Sequence, residues 1–195
     1  MLRLFTAVEI PQFPKVLEMM EAIKRSGAEV KLVEPWNLHL TLVFIGEVQE
    51  NKLDLIKDAV KSVSFNSFKV SLYGSGAFPN LNKPRVVWIG LSQGMQELRL
   101  LRSSLYKELV ARGIRPEDEK EFTPHLTVGR VKGPRNLVNL LNIVNEYQST
   151  SFGELLVDKI ILFKSTLTSK GPIYEPLFEV KAIDRGGSTE INKTK

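Results

Sequence analysis

The chain has 195 residues, of which 43% are hydrophobic and 25% are charged, a composition typical of a folded globular protein. It carries 27 Lys and Arg against 22 Asp and Glu, and no cysteine, which excludes disulfides, thiol catalysis and thiolate-bound zinc. No apolar run is long enough to span a membrane and no signal-peptide pattern is present, so we expect a cytoplasmic protein that does not act at a membrane.

The first half of the chain has the hydrophobic periods of a β-α-β-α-β unit. We predict a strand over 2–9, a helix over 14–25, a strand over 38–45, a helix over 51–63 and a strand over 68–73. Residues 74–84 are rich in Gly, Pro and Asn, and we expect them to form the loop between the two halves.

The second half repeats the same order of elements. The predicted elements are a strand over 85–91, a helix that ends before Gly113, a strand over 124–128, a helix over 137–147 and a strand over 155–163. A turn over 165–171 and a returning strand over 173–182 follow, and the polar segment 184–195 is expected to be flexible.

This repetition predicts an internal duplication, with two pseudo-symmetric lobes in one domain over 1–183. The repeats cover about 1–75 and 84–165, and the hairpin over 155–183 closes the domain.

The only two histidines of the chain occupy equivalent places in the two halves. His39 and His125 each precede a threonine by two positions, Thr41 and Thr127. Residues two apart on a strand share a face, so each strand presents one imidazole beside one hydroxyl while its leucines and valine face the core. Two such pairs that face each other across a cleft make a symmetric pocket.

Such a pocket suits the attack of water on a phosphodiester without a metal. The reaction needs one base for the water proton and one acid for the departing alkoxide, and imidazole fills either role near neutral pH. The threonine hydroxyls donate hydrogen bonds to the non-bridging oxygens.

Four further side chains are candidates for binding the substrate. Arg130 and Arg85 are placed to reach the mouth of the cleft, and guanidinium suits phosphate because it offers a planar fork of donors. Phe44 and Tyr174 lie near the strands that flank the cleft and are candidates for stacking on a nucleobase.

Four segments together resemble the two-histidine phosphoesterase superfamily, and most closely its RNA 2′,3′-cyclic phosphodiesterases, historically called 2′-5′ RNA ligases. The segments are 39–46 (HLTLVFIG), 85–90 (RVVWIG), 122–130 (FTPHLTVGR) and 171–174 (GPIY). The similarity extends from residue 2 to about residue 182. The sequence departs from the family pattern at Val128-Gly129, which replaces a bulkier pair. The resemblance therefore does not give the width of the cleft on that side.

The resemblance implies an α+β fold of two pseudo-symmetric lobes, with antiparallel sheets that line a central cleft, and no metal or cofactor. It implies that the protein opens the 2′,3′-cyclic phosphate at an RNA end, such as that of a tRNA fragment, to leave a 2′-phosphate. His39 then corresponds to the proton donor and His125 to the proton acceptor. Thr41 and Thr127 match the phosphate-binding hydroxyls, and Arg130 matches a basic residue that often follows the second tetrad.

Other interpretations remain open from the sequence. The reverse reaction, 2′-5′ ligation of RNA, uses the same groups, and a non-catalytic nucleotide or RNA-binding protein would keep the same pocket. Either histidine taken alone fits a buried core residue. Metal binding is disfavoured because the acidic residues over 117–121 resemble a solvated charge run. We expect a monomer.

Overall fold

The computed structural model describes residues 1–118 and 121–184 of the chain. The strands are β1 (Leu2–Glu9), β2 (Val30–Leu32), β3 (His39–Val48), β4 (Phe68–Phe78), β5 (Val86–Gln93), β6 (Leu126–Val131), β7 (Ser151–Val157), β8 (Lys159–Thr168) and β9 (Gly171–Lys181). The α-helices are α1 (Pro14–Arg25), α2 (Leu53–Lys61), α3 (Met95–Ala111) and α4 (Leu137–Glu146). Short 3₁₀ helices cover Pro35–Asn37 and Glu50–Lys52.

The strands of the described residues form a 9-stranded antiparallel sheet in the order β7-β4-β5-β6-β3-β1-β8-β9, with β2 also paired to β6. The pairing of Leu40 with Leu126 joins β3 to β6. We name the part that contains β3, β1, β8 and β9 the β3 lobe, and the part that contains β6, β5, β4 and β7 the β6 lobe. This arrangement confirms the predicted α+β class with two lobes of antiparallel strands.

Helices cover one face of each lobe and leave the other face open. α2 and α3 pack on the β3 lobe, and α1 and α4 pack on the β6 lobe. Buried apolar side chains such as Leu40, Leu42, Leu126 and Val128 fill the space beneath the strands. The opposite face of the sheet forms the cleft. No helix in the described part of the chain is both long and apolar enough to cross a bilayer.

Each lobe draws strands from both halves of the chain. β4 lies in the first half of the sequence but pairs with β5 and β7 in the β6 lobe. β8 and β9 lie in the second half but extend the β3 lobe through β1. The boundaries of the internal repeats stay a prediction.

Two predicted elements, the strand over 2–9 and the helix over 14–25, are confirmed to the residue. Pro14 starts α1, and the buried side chains of this helix lie on one face. Gly27, just past its end, has a φ of +71°, a left-handed conformation that glycine adopts without strain. Pro14 and Gly27 therefore explain where this helix begins and where it ends.

The single strand predicted over 155–163 is wrong. Asp158 separates β7, which pairs with β4, from β8, which pairs with β1 in the other lobe. Apolar residues stand on both sides of Asp158 and Lys159, and these two polar residues are too weak a turn signal to show where the chain changes lobes. The closing hairpin consequently starts at Lys159, and its strand β8 extends to Thr168 through most of the predicted turn.

The loop predicted after residue 73 is also wrong in its first part, because β4 continues to Phe78. The register of β4 against β5 shifts between Leu72 and Ser75, and Gly74 has a φ of +75°. Gly74 and Gly76 therefore belong to an irregular strand and not to a loop. A Cβ on Gly76 would overlap the Trp88 ring, so this glycine makes room for the indole.

Other boundaries differ by a few residues. β3 extends to Val48, β5 to Gln93 and β6 to Val131, and α2 covers only Leu53–Lys61. The three-residue β2 was not predicted. Asp184, the first residue of the predicted flexible tail, accepts a hydrogen bond from the backbone N–H of Ser67 (2.9 Å). Residues 185–195 lie outside the described part of the chain.

Candidate active site

The seam between β3 and β6 brings the two His-x-Thr segments together. Leu40 pairs with Leu126 in antiparallel orientation, and this register sets His39 opposite Thr127 and Thr41 opposite His125. Directly opposed side chains share a face and have Cβ atoms about 4.5–5.5 Å apart. The leucines between them are buried on the other face. The four polar side chains thus form one cluster on the floor of the cleft.

A β-bulge in β6 brings Arg130 to the same face. Thr127 pairs with Trp88 and Arg130 pairs with Val86, so three steps along β6 match two along β5. One residue of β6 is therefore extra, as in a bulge. Because Val86 and Trp88 share a face of β5, Arg130 shares the face of Thr127.

A second bulge does the same for Phe44 in β3. Thr41 pairs with Ala7 and Phe44 pairs with Phe5, again three steps against two. Because Phe5 and Ala7 share a face of β1, Phe44 shares the face of Thr41. The two lobes thus each present a histidine, a threonine and a third side chain five positions after the histidine.

Backbone carbonyls fix the orientation of both imidazole rings. His39 Nδ1 lies 2.7 Å from the carbonyl oxygen of Asn37, and His125 Nδ1 lies 2.7 Å from that of Thr123. A carbonyl can only accept, so both Nδ1 atoms carry a proton and donate it. In the neutral rings Nε2 is therefore the basic atom.

The two Nε2 atoms have different partners. His39 Nε2 lies 2.9 Å from Thr41 Oγ1. The hydroxyl donates when the ring is neutral, and it accepts when the ring is protonated. His125 Nε2 has no hydrogen-bond partner among residues 1–118 and 121–184, so its lone pair is free for a ligand.

Burial is the main cause that lowers the pKa of both histidines. For His39 the hydrogen bond to Asn37 raises the pKa, whereas the charges of His125 and Arg130 lower it. For His125 the bond to Thr123 raises the pKa and Arg130 lowers it. The free protein therefore holds both rings mostly neutral at neutral pH, and an anion between them would raise both pKa values.

Aromatic rings pack on both imidazoles. The ring centroid of His39 lies 5.1 Å from Phe5 and 5.3 Å from Tyr174, the latter edge to face. The His125 ring lies 4.9 Å from Phe78, also edge to face. Burial raises the pKa of the Tyr174 hydroxyl. These contacts hold the rings in place and keep water from one side of each.

All eight predicted site residues line one cleft of about 1150 Å³. They are His39, Thr41, Phe44, Arg85, His125, Thr127, Arg130 and Tyr174. The guanidinium of Arg3 lies 4.7 Å from the ring centroid of Phe44 and covers one face of that ring. The structure brings the eight residues together, and their individual roles stay predictions.

The acidic segment over 117–121 is not simply a solvated charge run. Asp118 Oδ2 accepts a hydrogen bond from the backbone N–H of Phe44 (3.0 Å) and lies 2.8 Å from Nη1 of the buried Arg102. Asp118 therefore attaches this segment to β3 at the edge of the cleft. Residues 119 and 120 lie outside the described part of the chain. No cluster of three or more His, Asp or Glu placed to hold a metal occurs in the described part.

Sequence reasoning missed the residues that support the histidines. Phe5 and Phe78 were counted as strand and loop residues, and the carbonyls of Asn37 and Thr123 carry no side-chain signal. Lys31, which also lines the cleft, was missed with β2. The alternation of Val30, Lys31 and Leu32 could have indicated that strand.

A family model for the 2′-5′ RNA ligase superfamily matches residues 12–167 of this chain. A protein of Archaeoglobus fulgidus, named RNA 2′,3′-cyclic phosphodiesterase, is 46% identical over 179 residues, which cover 90% of this chain and 98% of the relative. One of the same name from Aeropyrum pernix is 41% identical over 172 residues, 88% of this chain and 97% of the relative.

Solved structures show the same fold. The crystal structure of TT0787 of Thermus thermophilus superposes with a TM-score of 0.73 at 29% identity and covers 92% of this chain and 97% of that one. Escherichia coli LigT, complexed with 3′-AMP, gives a TM-score of 0.69 at 24% identity, a likeness of fold alone, over 93% of this chain and 98% of that one.

The fold and the paired His-x-Thr segments are those of a two-histidine phosphoesterase, which confirms the resemblance seen in the sequence. Within that class, the chain belongs to the 2′-5′ RNA ligase superfamily.

Proposed function

We propose that this protein hydrolyses the 2′,3′-cyclic phosphate at RNA ends to a 2′-phosphomonoester without a metal. The observation that carries the proposal is the pairing of His39 and Thr41 with Thr127 and His125 across the β3–β6 seam. The name RNA 2′,3′-cyclic phosphodiesterase, carried by relatives similar over most of the chain, supports the same substrate.

The chemical step needs no group beyond the two rings and water. The water oxygen bonds to phosphorus and its proton passes to His125 Nε2. The P–O3′ bond breaks, and the proton of His39 Nε2 passes to O3′. The rings end with exchanged protonation states, which solvent resets. Each general acid or base contributes about 10²- to 10⁴-fold to the rate.

The hydrogen bonds support this assignment of the two roles. A protonated His39 finds an acceptor for each of its N–H groups, in the carbonyl of Asn37 and in Thr41 Oγ1. His125 has such an acceptor only at Nδ1 within the described residues. These hydrogen bonds support a protonated His39, against the burial and the charges of His125 and Arg130 that lower its pKa, and they leave the lone pair of His125 Nε2 free to take the water proton.

Arg130 and the two threonines surround the phosphate. The positive charge of Arg130 lowers the pKa of both histidines, so its guanidinium lies near the point between them where the phosphate binds in this proposal. Donors placed at the non-bridging oxygens stabilise the charge that develops in the transition state.

The test is an oligonucleotide with a 2′,3′-cyclic phosphate end, with the product followed by ³¹P NMR. The expected product carries a 2′-phosphate, and its rate of formation is unchanged by a chelator. We expect His39→Ala and His125→Ala each to lower kcat about 10²- to 10⁴-fold while the circular dichroism spectrum stays that of the wild type. Thr41→Val should lower kcat/KM, and Thr41→Ser, which keeps the hydroxyl, serves as its matched control.

Four results would contradict the proposal. A 3′-phosphate product or a rate lost on chelation would exclude the mechanism. Cyclic nucleotide that is bound and recovered unchanged would identify a binding protein instead. A joined product, formed faster than the hydrolysed one when a 5′-hydroxyl RNA is added, would identify a ligase.

A further inference from the structure

A cluster of three cations lines the cleft near the carboxyl end of β6. Arg130 pairs across the strands with Lys31 of β2, so the two side chains share a face. Arg85 lies at the start of β5, and its carbonyl accepts a hydrogen bond from the backbone N–H of Val131 (2.8 Å). All three line the same cleft as the histidines. We call Lys31, Arg85 and Arg130 the basic cluster.

Glutamates of the described part of the chain, Glu34, Glu117 and Glu121, line the same cleft but do not form ion pairs with the basic cluster. None of the three cations forms an ion pair with any residue in 1–118 or 121–184. Like charges held close together on one face are unfavourable unless an anion binds between them. One phosphate is assigned above to Arg130 and the histidines. Arg85 lies across Arg130 on the β5 edge of β6, so Lys31 is the cation that remains without an anion on the His39 side.

Strand pairing decides on which side of the phosphate Lys31 lies. β5 occupies one edge of β6, so β3 and β2 must both pair along its other edge. Lys31 and His39 therefore lie along the same edge of β6. Lys31 is opposite Arg130, and His39 is opposite Thr127. The next cation past His39 on its own side of the cleft is thus Lys31.

The departing oxygen fixes the position of the terminal ribose. His39 protonates O3′, so the ribose that holds O3′ lies on the side of His39. The aromatic side chains Phe5, Phe44 and Tyr174 line the cleft in the β3 lobe and suit the base of that nucleotide. In an RNA, the same ribose is joined through its 5′ oxygen to a phosphodiester, the only other charged group of the terminal nucleotide.

We propose that Lys31 binds the phosphodiester 5′ to the terminal nucleotide, so that the protein distinguishes an RNA end from a free cyclic mononucleotide. This inference rests on the proposed function, because His39 as proton donor orients the ribose. It adds a second phosphate subsite, about one strand spacing of 4.8 Å from Arg130, and makes Lys31 a specificity-determining residue.

The test compares two dinucleotides that both end in a 2′,3′-cyclic phosphate. One has a natural phosphodiester between its nucleosides, and the other has an uncharged methylphosphonate there. For the wild type we expect kcat/KM to be about fivefold higher with the phosphodiester, mostly through KM. In Lys31→Ala this preference should shrink toward one, while kcat/KM for the methylphosphonate and for a cyclic mononucleotide stays unchanged.

Two exposed cations of α3 supply matched controls. Lys107→Ala and Arg99→Ala remove the same charge far from the cleft and should keep the preference. A preference unchanged in Lys31→Ala, or equal losses in this variant on charged and uncharged substrates, would overturn the proposal.

Binding separates the failure of this inference from the failure of the proposed function. The same two dinucleotides ending in a 2′-phosphate bind without turnover, and their dissociation constants give the same comparison. Loss of all hydrolysis with a retained charge preference in binding would refute the catalytic proposal alone. No preference in binding for the wild type would refute the second subsite.

Discussion

In the proposed mechanism, Arg130 links phosphate binding to the protonation of both histidines. Its charge lowers the pKa of His39 and of His125, while the phosphate that it helps to bind raises them. The mechanism requires a protonated His39 and a neutral His125. The pH dependence of kcat/KM therefore reports the charge of Arg130 directly.

We expect Arg130→Gln to move both limbs of the kcat/KM profile to higher pH. The acid limb reflects protonation of His125 and the alkaline limb reflects deprotonation of His39. Removal of a positive charge raises both pKa values, so neither limb can move down. The maximum of kcat/KM should also fall about tenfold, since a charged hydrogen bond to phosphate is lost. The measurement is kcat/KM for the cyclic-ended oligonucleotide across pH 4 to 9, at roughly half-unit steps.

Arg99→Gln is the matched control for this variant, because Arg99 is an exposed arginine of α3. Its profile should superpose on that of the wild type. An unmoved or acid-shifted profile in Arg130→Gln would show that the guanidinium does not act on the two rings.

The sequence predicts the chemistry of this site better than the contacts that support it. Two histidines, each two positions before a threonine, are visible without a structure because a strand places alternate residues on one face. The carbonyls of Asn37 and Thr123 are invisible in the same sequence, since every residue has a carbonyl. Phe5 and Phe78 look like core residues until the imidazoles are placed against them.

At the scale of elements, the two bulges determine which side chains face the cleft. Simple alternation from Thr127 would send Arg130 to the buried face, and alternation from Thr41 would do the same to Phe44. The extra residue in each strand turns these two side chains toward the cleft instead. A sequence pattern of period two cannot show this, because a bulge depends on how the neighbouring strand pairs.

Gly129 is the point where the bulged strand meets β2. A Cβ on this residue would lie 2.6 Å from Val30 Cγ1 and 3.3 Å from Leu32 Cδ2. We therefore expect Gly129→Ala to lower the free energy of unfolding by about 1–3 kcal/mol, as other overpacked cores do. Urea denaturation followed by circular dichroism measures the change.

A second variant identifies the cause. Val30→Ala removes the methyl group that Gly129→Ala would strike, so the double variant should be more stable than the sum of the two single changes predicts. Strict additivity would mean that the close approach of β2 does not matter.

At the scale of the whole molecule, the active site is an interface between two lobes. Each lobe supplies one histidine, one threonine and one further side chain, and the pairing of Leu40 with Leu126 sets their spacing. The duplicated order of elements predicts two such contributions. The sequence does not predict that β4 and the β8–β9 hairpin exchange lobes, because sheet partners distant in sequence leave no local pattern.

Substitution of sulfur for the departing O3′ tests most directly whether the two lobes divide the acid and base roles. A thiolate leaves without protonation, so a 2′,3′-cyclic 3′-phosphorothiolate end no longer needs a proton donor. We expect His39→Ala to hydrolyse this substrate at close to the wild-type rate, while His125→Ala stays about 10²- to 10⁴-fold slower. Rescue of His125→Ala instead, or equal defects in the two variants, would contradict the account.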